Sequence, residues 1–211
     1  KWYQKIAQKR DSLPYQIDGL VVAVDDLELW NKLGTVGKAP RYMIAYKFPA
    51  EQATTKIVDI EIQVGRTGAL TPVAILEPIG VAGSVVSRAT LHNDSEIERK
   101  DIRIGDTVIV QKAGDVIPEI VESIKTMRVG SEEIFIMPKV CPVCGSQLWK
   151  KPTETVWRCS NRNCFAQVSR SIKHFVSKEA FDIAGVGPKI IDRLLDEGLI
   201  ADAADLFALK E

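Results

Sequence analysis

The spacing of hydrophobic positions changes twice along this chain. In the opening KWYQKIAQKRD, Trp2 and Ile6 stand at helical spacing with Tyr3 beside them, and Pro14 stops the element. Two apolar runs follow, Leu20 to Val24 between Asp18-Gly19 and Asp25-Asp26, and YMIAYKF from Tyr42 to Phe48. Both predict buried strands. Between them lie a short helix near Leu27 to Leu33 and a flexible loop, GTVGKAP, from Gly34 to Pro40.

From Thr54 the texture becomes that of short, regularly punctuated strands. Lys56 to Val64 alternates, with Asp59, Glu61 and Gln63 set among apolar residues, and Gly65 to Gly68 supplies a turn. Leu70 to Ile79, Val81 to Leu91, Thr107 to Lys112 and Val116 to Met127 complete five strands. A short helix from Asn93 to Arg99, capped by Asn93 or Ser95, falls after the third. That order is the order of an OB barrel, a fold that commonly binds oligonucleotides. Gly130 to Pro138 reads as a linker.

Beyond Cys164 the helical period returns. Val168, Ile172, Phe175 and Val176 share one helical face, and Ile190, Ile191, Leu194 and Leu195 form a second stripe ending at Gly198. Gly185-Val186-Gly187-Pro188 precedes that stripe, with Pro188 suited to a first helical turn. Backbone N–H groups at such a helix start form an anion site suited to a DNA phosphate, or the turn simply joins two packed helices.

A length of 211 residues exceeds the usual domain of about 100 to 150, which predicts several compact pieces. The class is multi-domain α+β. All four cysteines lie in one stretch of 24 residues: Cys141 and Cys144 as C-x2-C, then Cys159 and Cys164 as C-x4-C. This is the arithmetic of a tetrahedral zinc site. Four cysteines fill the shell and leave no open position for water, so the ion is expected to be structural. Two disulfides in a secreted domain are the alternative, and nothing at the N-terminus looks like a signal peptide. His174 reads as a surface or partly packed histidine rather than a fifth ligand.

Net charge is zero, but it is unevenly spread. Residues 141–180 carry seven Lys or Arg against two Glu, while residues 181–211 carry three basic against seven acidic groups. Basic charge on a small zinc module suits a polyanion such as nucleic acid, or forms a solvated charged face. No apolar run approaches the roughly 18 residues of a membrane span, so a soluble intracellular protein is expected.

Three side chains stand out for chemistry. Lys47 interrupts an apolar strand, where an ammonium must snorkel, pair, or meet an anion such as phosphate. Asp18 at the mouth of the Leu20 run is a metal or ligand contact, or a turn residue. Arg66 sits in the glycine-flanked turn Gly65-Arg66-Thr67-Gly68, as a bidentate phosphate donor or an exposed hairpin arginine.

The ordered set IDGLVVAV, APRYMIAYKFPAE, QVGRTGALTPVAILEPI, ATLHN, RIGD, KAGDVIP, CPVCG with CSNRNC, and KHFV before FDIAGVGPKIIDRLLDEGLI resembles bacterial NAD-dependent DNA ligase over essentially the whole chain. The resemblance implies the end of an adenylation domain at 1–50, an OB domain at 51–138, a four-cysteine zinc finger at 139–166, and the start of a helix-hairpin-helix domain at 167–211. It implies nick sealing in duplex DNA by AMP transfer, with NAD and magnesium serving the full-length enzyme, acting as a monomer in the bacterial cytoplasm and associated with the nucleoid. Lys47 matches the family lysine at the adenylate phosphate, Asp18 and Gly19 the motif whose carboxylate helps there, and Arg66, with Thr67, the OB turn that meets nicked DNA. Gly185, Gly187 and Lys189 then belong to a DNA-gripping hairpin. The family's nucleophilic K-x-D-G lysine is absent from these residues, so this stretch is not expected to ligate alone. Ala23 also stands where the family usually has lysine, and Ala23→Lys in the full-length context is expected to speed adenylation. The alternative from another class is a non-catalytic, zinc-containing DNA-binding module.

Overall fold

The computed structural model describes residues 2–15, 17–113 and 117–209. Its strands in chain order are β1 (Gly19–Ala23), β2 (Thr35–Val36), β3 (Ala39–Pro40), β4 (Met43–Lys47), β5 (Gln52–Val64), β6 (Leu70–Val81), β7 (Ser84–Thr90), β8 (Arg103–Ile104), β9 (Thr107–Ala113), β10 (Ile117–Ser123), β11 (Glu133–Ile134), β12 (Leu148–Trp149) and β13 (Arg158–Cys159). Its α-helices are α1 (Trp2–Lys9), α2 (Leu27–Leu33), α3 (Asp94–Lys100), α4 (Phe165–Val176) and α5 (Pro188–Asp196).

The centre is a closed five-stranded barrel in the order β10-β7-β6-β5-β9, with β9 pairing back onto β10. Its longest strand makes closure possible. Gln52–Lys56 of β5 pairs with β9, and after that the same strand pairs with β6, with a register shift between Ile57 and Asp59. A bulge of this kind bends a strand and lets one ribbon serve two neighbours around a barrel. β7 and β10 meet in parallel at Thr90 and Glu119. Alternate residues point inward, and Ile57, Ala74, Leu76, Val108, Val110 and Ile120 form the buried interior. Helix α3 follows β7, and its Ile97 joins that core. Asn93 is the N-cap, accepting the Glu96 N–H at 2.9 Å, and Ser95 is not. The expected OB order is therefore present; the first residue of its expected fifth strand, Val116, and residues 114 and 115 of KAGDVIP lie outside the described residues.

Two expectations need correction. The stretch from Gly130 to Pro138 is not a free linker, because β11 pairs antiparallel with β8 and Phe135 packs against the barrel core. Its polar composition hid a two-residue pairing too short to show any period. The two apolar runs near the N-terminus are strands, but they are not buried. β1 and β4 form a two-stranded antiparallel sheet with no third strand among the described residues, and Val21, Val22, Ile44 and Tyr46 are each more than half exposed. A sheet of two strands cannot cover both of its own faces.

The cysteine stretch folds as two short strands, β12 and β13, beside the barrel, and α4 begins directly after Cys164. Helices α4 and α5 pack through Ile172, Val176, Ile191 and Ile200. Val168, Phe175, Leu194 and Leu195 of the predicted stripes pack against this cluster and Ile200 is added from the turn beyond α5, whereas Ile190, expected in the second stripe, is exposed.

Candidate functional site

At one end of the β1–β4 sheet, Gly19 lies opposite Lys47. The strands come so close there that a Cβ on Gly19 would stand 2.7 Å from both the Lys47 Cα and the Tyr46 carbonyl oxygen. Close backbone approach is one reason a strand keeps glycine. Lys47 Nζ donates to Asp18 Oδ2 at 3.0 Å, and both side chains remain about half exposed. This hydrogen bond, and the charge behind it, hold the Asp18 carboxyl below the ordinary value of 3.8. The ammonium in the apolar strand is thus paired and snorkelled to an open surface. Ala23 is at the other end of β1, opposite Met43, and is exposed. The register brings Asp18, Gly19 and Lys47 together.

The four cysteines converge on a second centre. Their sulfurs all lie within 4.8 Å of one another, with Cys141 to Cys164 at 3.9 Å and Cys144 to Cys159 at 3.4 Å. Ligands about 2.3 Å from a tetrahedral zinc stand about 3.8 Å apart, so the tetrad fits that ion. The geometry is not that of disulfides, and all four thiols are free. The Cys141-Pro142-Val143-Cys144-Gly145 turn is closed by the Gly145 N–H on the Cys141 carbonyl at 2.9 Å. Hydrogen bonding to Ser146 lowers the Cys144 thiol to about 6, whereas burial pushes Cys159 up to about 12 and Cys164 upward. A divalent cation compensates the burial of thiolates and displaces their protons. The zinc is structural, since four sulfurs complete its shell.

The Gly65–Gly68 turn is fastened to this centre. The Leu70 N–H donates to the Trp157 carbonyl at 2.8 Å and the Cys159 N–H to the Gly68 carbonyl at 2.9 Å, so the strand bearing a zinc ligand runs beside the turn. Arg158 Nη1 donates to Thr67 Oγ1 at 3.2 Å. Gly68, at φ +77°, lies against buried Gln167 of α4, whose amide donates to the Asn161 carbonyl at 2.8 Å. Arg66 at the tip is exposed and makes no ion pair or hydrogen bond among the described residues.

On the helical side, Gly187 is the N-cap of α5 and Pro188 its first residue, while Gly185 turns the chain at φ +81°. The Gly187 carbonyl receives the Ile190 and Ile191 N–H groups at 3.0 and 3.2 Å. Lys189 is exposed in the first turn. His174 is exposed on α4, and among the described residues the metal cluster consists of the four cysteines.

Several contributors were not singled out in the sequence. Asp94 on α3 accepts from the Trp157 indole at 2.7 Å and pairs with Lys150 at 3.4 Å, while Lys150 Nζ lies 4.9 Å from the centre of the Trp157 ring. Arg162 and Gln167 are likewise set around the turn. An N-cap neighbour 63 residues from its partner carries no local signal.

Comparison with known proteins agrees with this geometry. Residues 1–51 match the NAD-dependent DNA ligase adenylation domain, residues 54–132 the OB-fold domain of the same ligases, and residues 140–166 their C4 zinc finger domain. The chain is 56% identical over 209 residues to a DNA ligase of Desulfosudis oleivorans, covering 99% of this chain and 31% of the relative. It is 59% identical over 204 residues to one of Halothermothrix orenii, covering 96% and 30%, and 57% identical over 210 residues to one of Thermoanaerobacter sp. strain X514, covering 100% and 32%. The chain thus spans about a third of the length of the curated relatives it matches.

Proposed function

Since the chain belongs to the NAD-dependent DNA ligase family, we propose that it is the part of such an enzyme that grips nicked duplex DNA and presents one wall of the adenylate site. In this reading residues 1–50 end the adenylation domain, 51–138 are the OB domain, 139–166 the zinc finger and 167–211 the start of a helix-hairpin-helix domain. The observation that carries it is the Lys47–Asp18 pair, an exposed ammonium fixed at 3.0 Å from its carboxylate at the end of a sheet with uncovered apolar faces. Lys47 is free to leave that partner for an adenylate phosphate. Asp18 then stands open beside the same phosphate, suited to magnesium, and Gly19 keeps the two strands close enough to hold both. NAD supplies the AMP when it is bound, and these residues orient and neutralise it.

DNA is held by the basic zinc module, by Arg66 and Thr67 at the tip of the barrel turn, and by the Gly185–Gly187 turn with Lys189 at the start of α5. The zinc sets the barrel and the helices at one fixed angle. The expected setting is the bacterial cytoplasm, with association to the nucleoid during replication and repair, and the working unit is a monomer. Among the described residues no helix is long and apolar enough to cross a membrane.

The test is to join these residues to an intact N-terminal part and follow a covalent AMP adduct from NAD, then nick sealing. Lys47→Ala should abolish sealing and leave affinity for nicked duplex nearly intact. A chain that bears the K-x-D-G lysine but takes up no AMP excludes the enzyme and leaves a binding module. A large loss of DNA affinity in Lys47→Ala would instead make Lys47 a DNA contact.

A further inference from the structure

A cleft of about 390 Å³ opens between the tip of the barrel turn, the zinc knuckle and helix α4. Arg66 enters it from the barrel and Arg162 from the segment between Cys159 and Cys164, and Ser171 of α4 offers a hydroxyl from the third side. Both arginines are exposed, and neither makes a hydrogen bond or ion pair among the described residues. Two like charges facing one cleft repel each other unless enough negative charge comes between them. The one acid on the described wall, Asp202, sets a single negative charge against two positive ones and pairs with neither arginine, its Oδ1 accepting the Ala204 and Asp205 N–H groups at 2.7 and 3.2 Å, so the cleft stays net positive.

The two arginines are also held in a fixed relation. The Cys159 N–H to the Gly68 carbonyl, Arg158 to Thr67, and Gln167 against Gly68 tie the turn to the knuckle directly after Arg66. Apart from Gln167, the rest of the wall is apolar, with Val168, Ile172 and Phe175 on the α4 side. A guanidinium pair beside an apolar wall matches a sugar-phosphate backbone, charged at the phosphodiester and apolar on the sugar face, better than it matches a small, fully hydrated anion.

We propose that Arg66 and Arg162 close together on one backbone phosphate of the bound DNA strand, with Ser171 Oγ as a third donor and the adjacent sugar against Val168 and Phe175. The zinc knuckle is then a direct DNA contact as well as a staple, and Arg162 is the residue that makes it so. This rests on the DNA-gripping reading above.

The measurement is the affinity of the zinc-loaded chain for nicked duplex over a range of salt concentrations. Arg162→Gln leaves Arg66 on the phosphate and should reduce the slope of log affinity against log salt by less than one unit, whereas Arg162→Gln together with Arg66→Gln should reduce it by about one unit, the loss of one neutralised phosphate. Arg162→Lys, which keeps the charge, should restore most of that slope. Combined with Arg66→Gln, the double variant should lose less affinity than the sum of the two single losses, since both act on one phosphate. Ser171→Ala, two turns away from the knuckle, should weaken binding several-fold with zinc content unchanged. Strictly additive losses, or a double-variant slope equal to that of the parent, would overturn the shared phosphate while leaving DNA binding itself intact. A response of the cleft to inorganic phosphate without any slope change on DNA would overturn it also. Failure of the parent chain to bind nicked duplex would instead remove the reading on which the proposal rests.

Discussion

The indole N–H of Trp157 donates to Asp94 Oδ2 at 2.7 Å, joining the zinc module to the helix that follows the third barrel strand. Asp94 is largely buried and also receives Lys150, so one carboxylate fastens two points of the module. Removing it leaves a partly buried indole donor without an acceptor, which costs about 1 to 3 kcal/mol. Asp94→Ala is expected to lower the unfolding free energy obtained from denaturant titration by that amount. Trp157→Phe, which deletes the donor while keeping the ring face, should cost less. In both variants a competing chelator should strip zinc faster than from the parent. Equal zinc-release rates would mean that the knuckle is held by its β-bridge to the barrel turn alone.

A second network locks the barrel from within. The Asp106 side chain is fully buried and accepts from Ser123 Oγ at 2.8 Å, the Arg103 N–H at 2.9 Å and Arg128 Nε at 2.7 Å. Burial pushes its carboxyl up, but the hydrogen bonds from Arg128, Ser123 and the Arg103 N–H outweigh this and hold it below the ordinary value. Arg128 also reaches Asp101 at 2.8 Å, and that hydrogen bond is the main reason the Asp101 carboxyl is lowered from 3.8 to about 2. Arg128→Met strands a buried carboxylate and should destabilise the chain by about 3 to 5 kcal/mol. Adding Asp106→Asn should recover part of the loss. The pH dependence has a definite sign: both folded carboxyls bind protons less readily than unfolded ones, so their contribution is present above about pH 4 and disappears as pH falls toward 2. Arg128→Met should flatten that limb of the stability curve.

The barrel was legible because its strands alternate and its turns carry glycine, and the zinc site because cysteine spacing is a local signal. Exposure was not. Leu20 to Val24 reads as a buried strand because apolar runs usually find cover, and whether cover exists depends on strands beyond the local sequence. The pairing of β11 with β8 was invisible for a different reason: two residues have no period. Lys47 could be marked as needing a partner, and Asp18 as a carboxylate at a strand mouth, but their distance of 3.0 Å follows from the register Gly19 to Lys47. The contacts of Asp94, Arg162 and Gln167 around the barrel turn arise only when the module folds against the barrel.

That register makes a separate prediction about Gly19. A methyl group there meets backbone on the opposite strand at 2.7 Å, and backbone cannot swing aside as a side chain can. Gly19→Ala is therefore expected to push β1 from β4 at Lys47 and separate Asp18 from its ammonium. The readout is the carboxyl titration of Asp18 by NMR. In the parent it should lie below 3.8, because the Lys47 hydrogen bond favours the charged form. In Gly19→Ala, and equally in Lys47→Met, it should move back toward that value. An unmoved midpoint in Gly19→Ala would show that the sheet tolerates the methyl.

Zinc removal should act first on the barrel turn, before the barrel. The knuckle strand donates its Cys159 N–H to Gly68 and accepts the Leu70 N–H at Trp157, so both amides depend on the tetrad keeping its shape. The barrel interior around Val108 and Val110 is buried without help from the cysteines. Hydrogen exchange after chelation should therefore show the Cys159 and Leu70 amides losing protection by at least tenfold, a local opening worth more than about 1.4 kcal/mol. The amides of Val108 and Val110 should be little changed. Affinity for nicked duplex should fall with the turn, since Arg66 stands at its tip, while Lys47 and Asp18 in a separate sheet keep their bond. Loss of protection throughout the barrel would mean that zinc holds up the fold as a whole, and retained DNA affinity would mean that the turn needs no support from the metal.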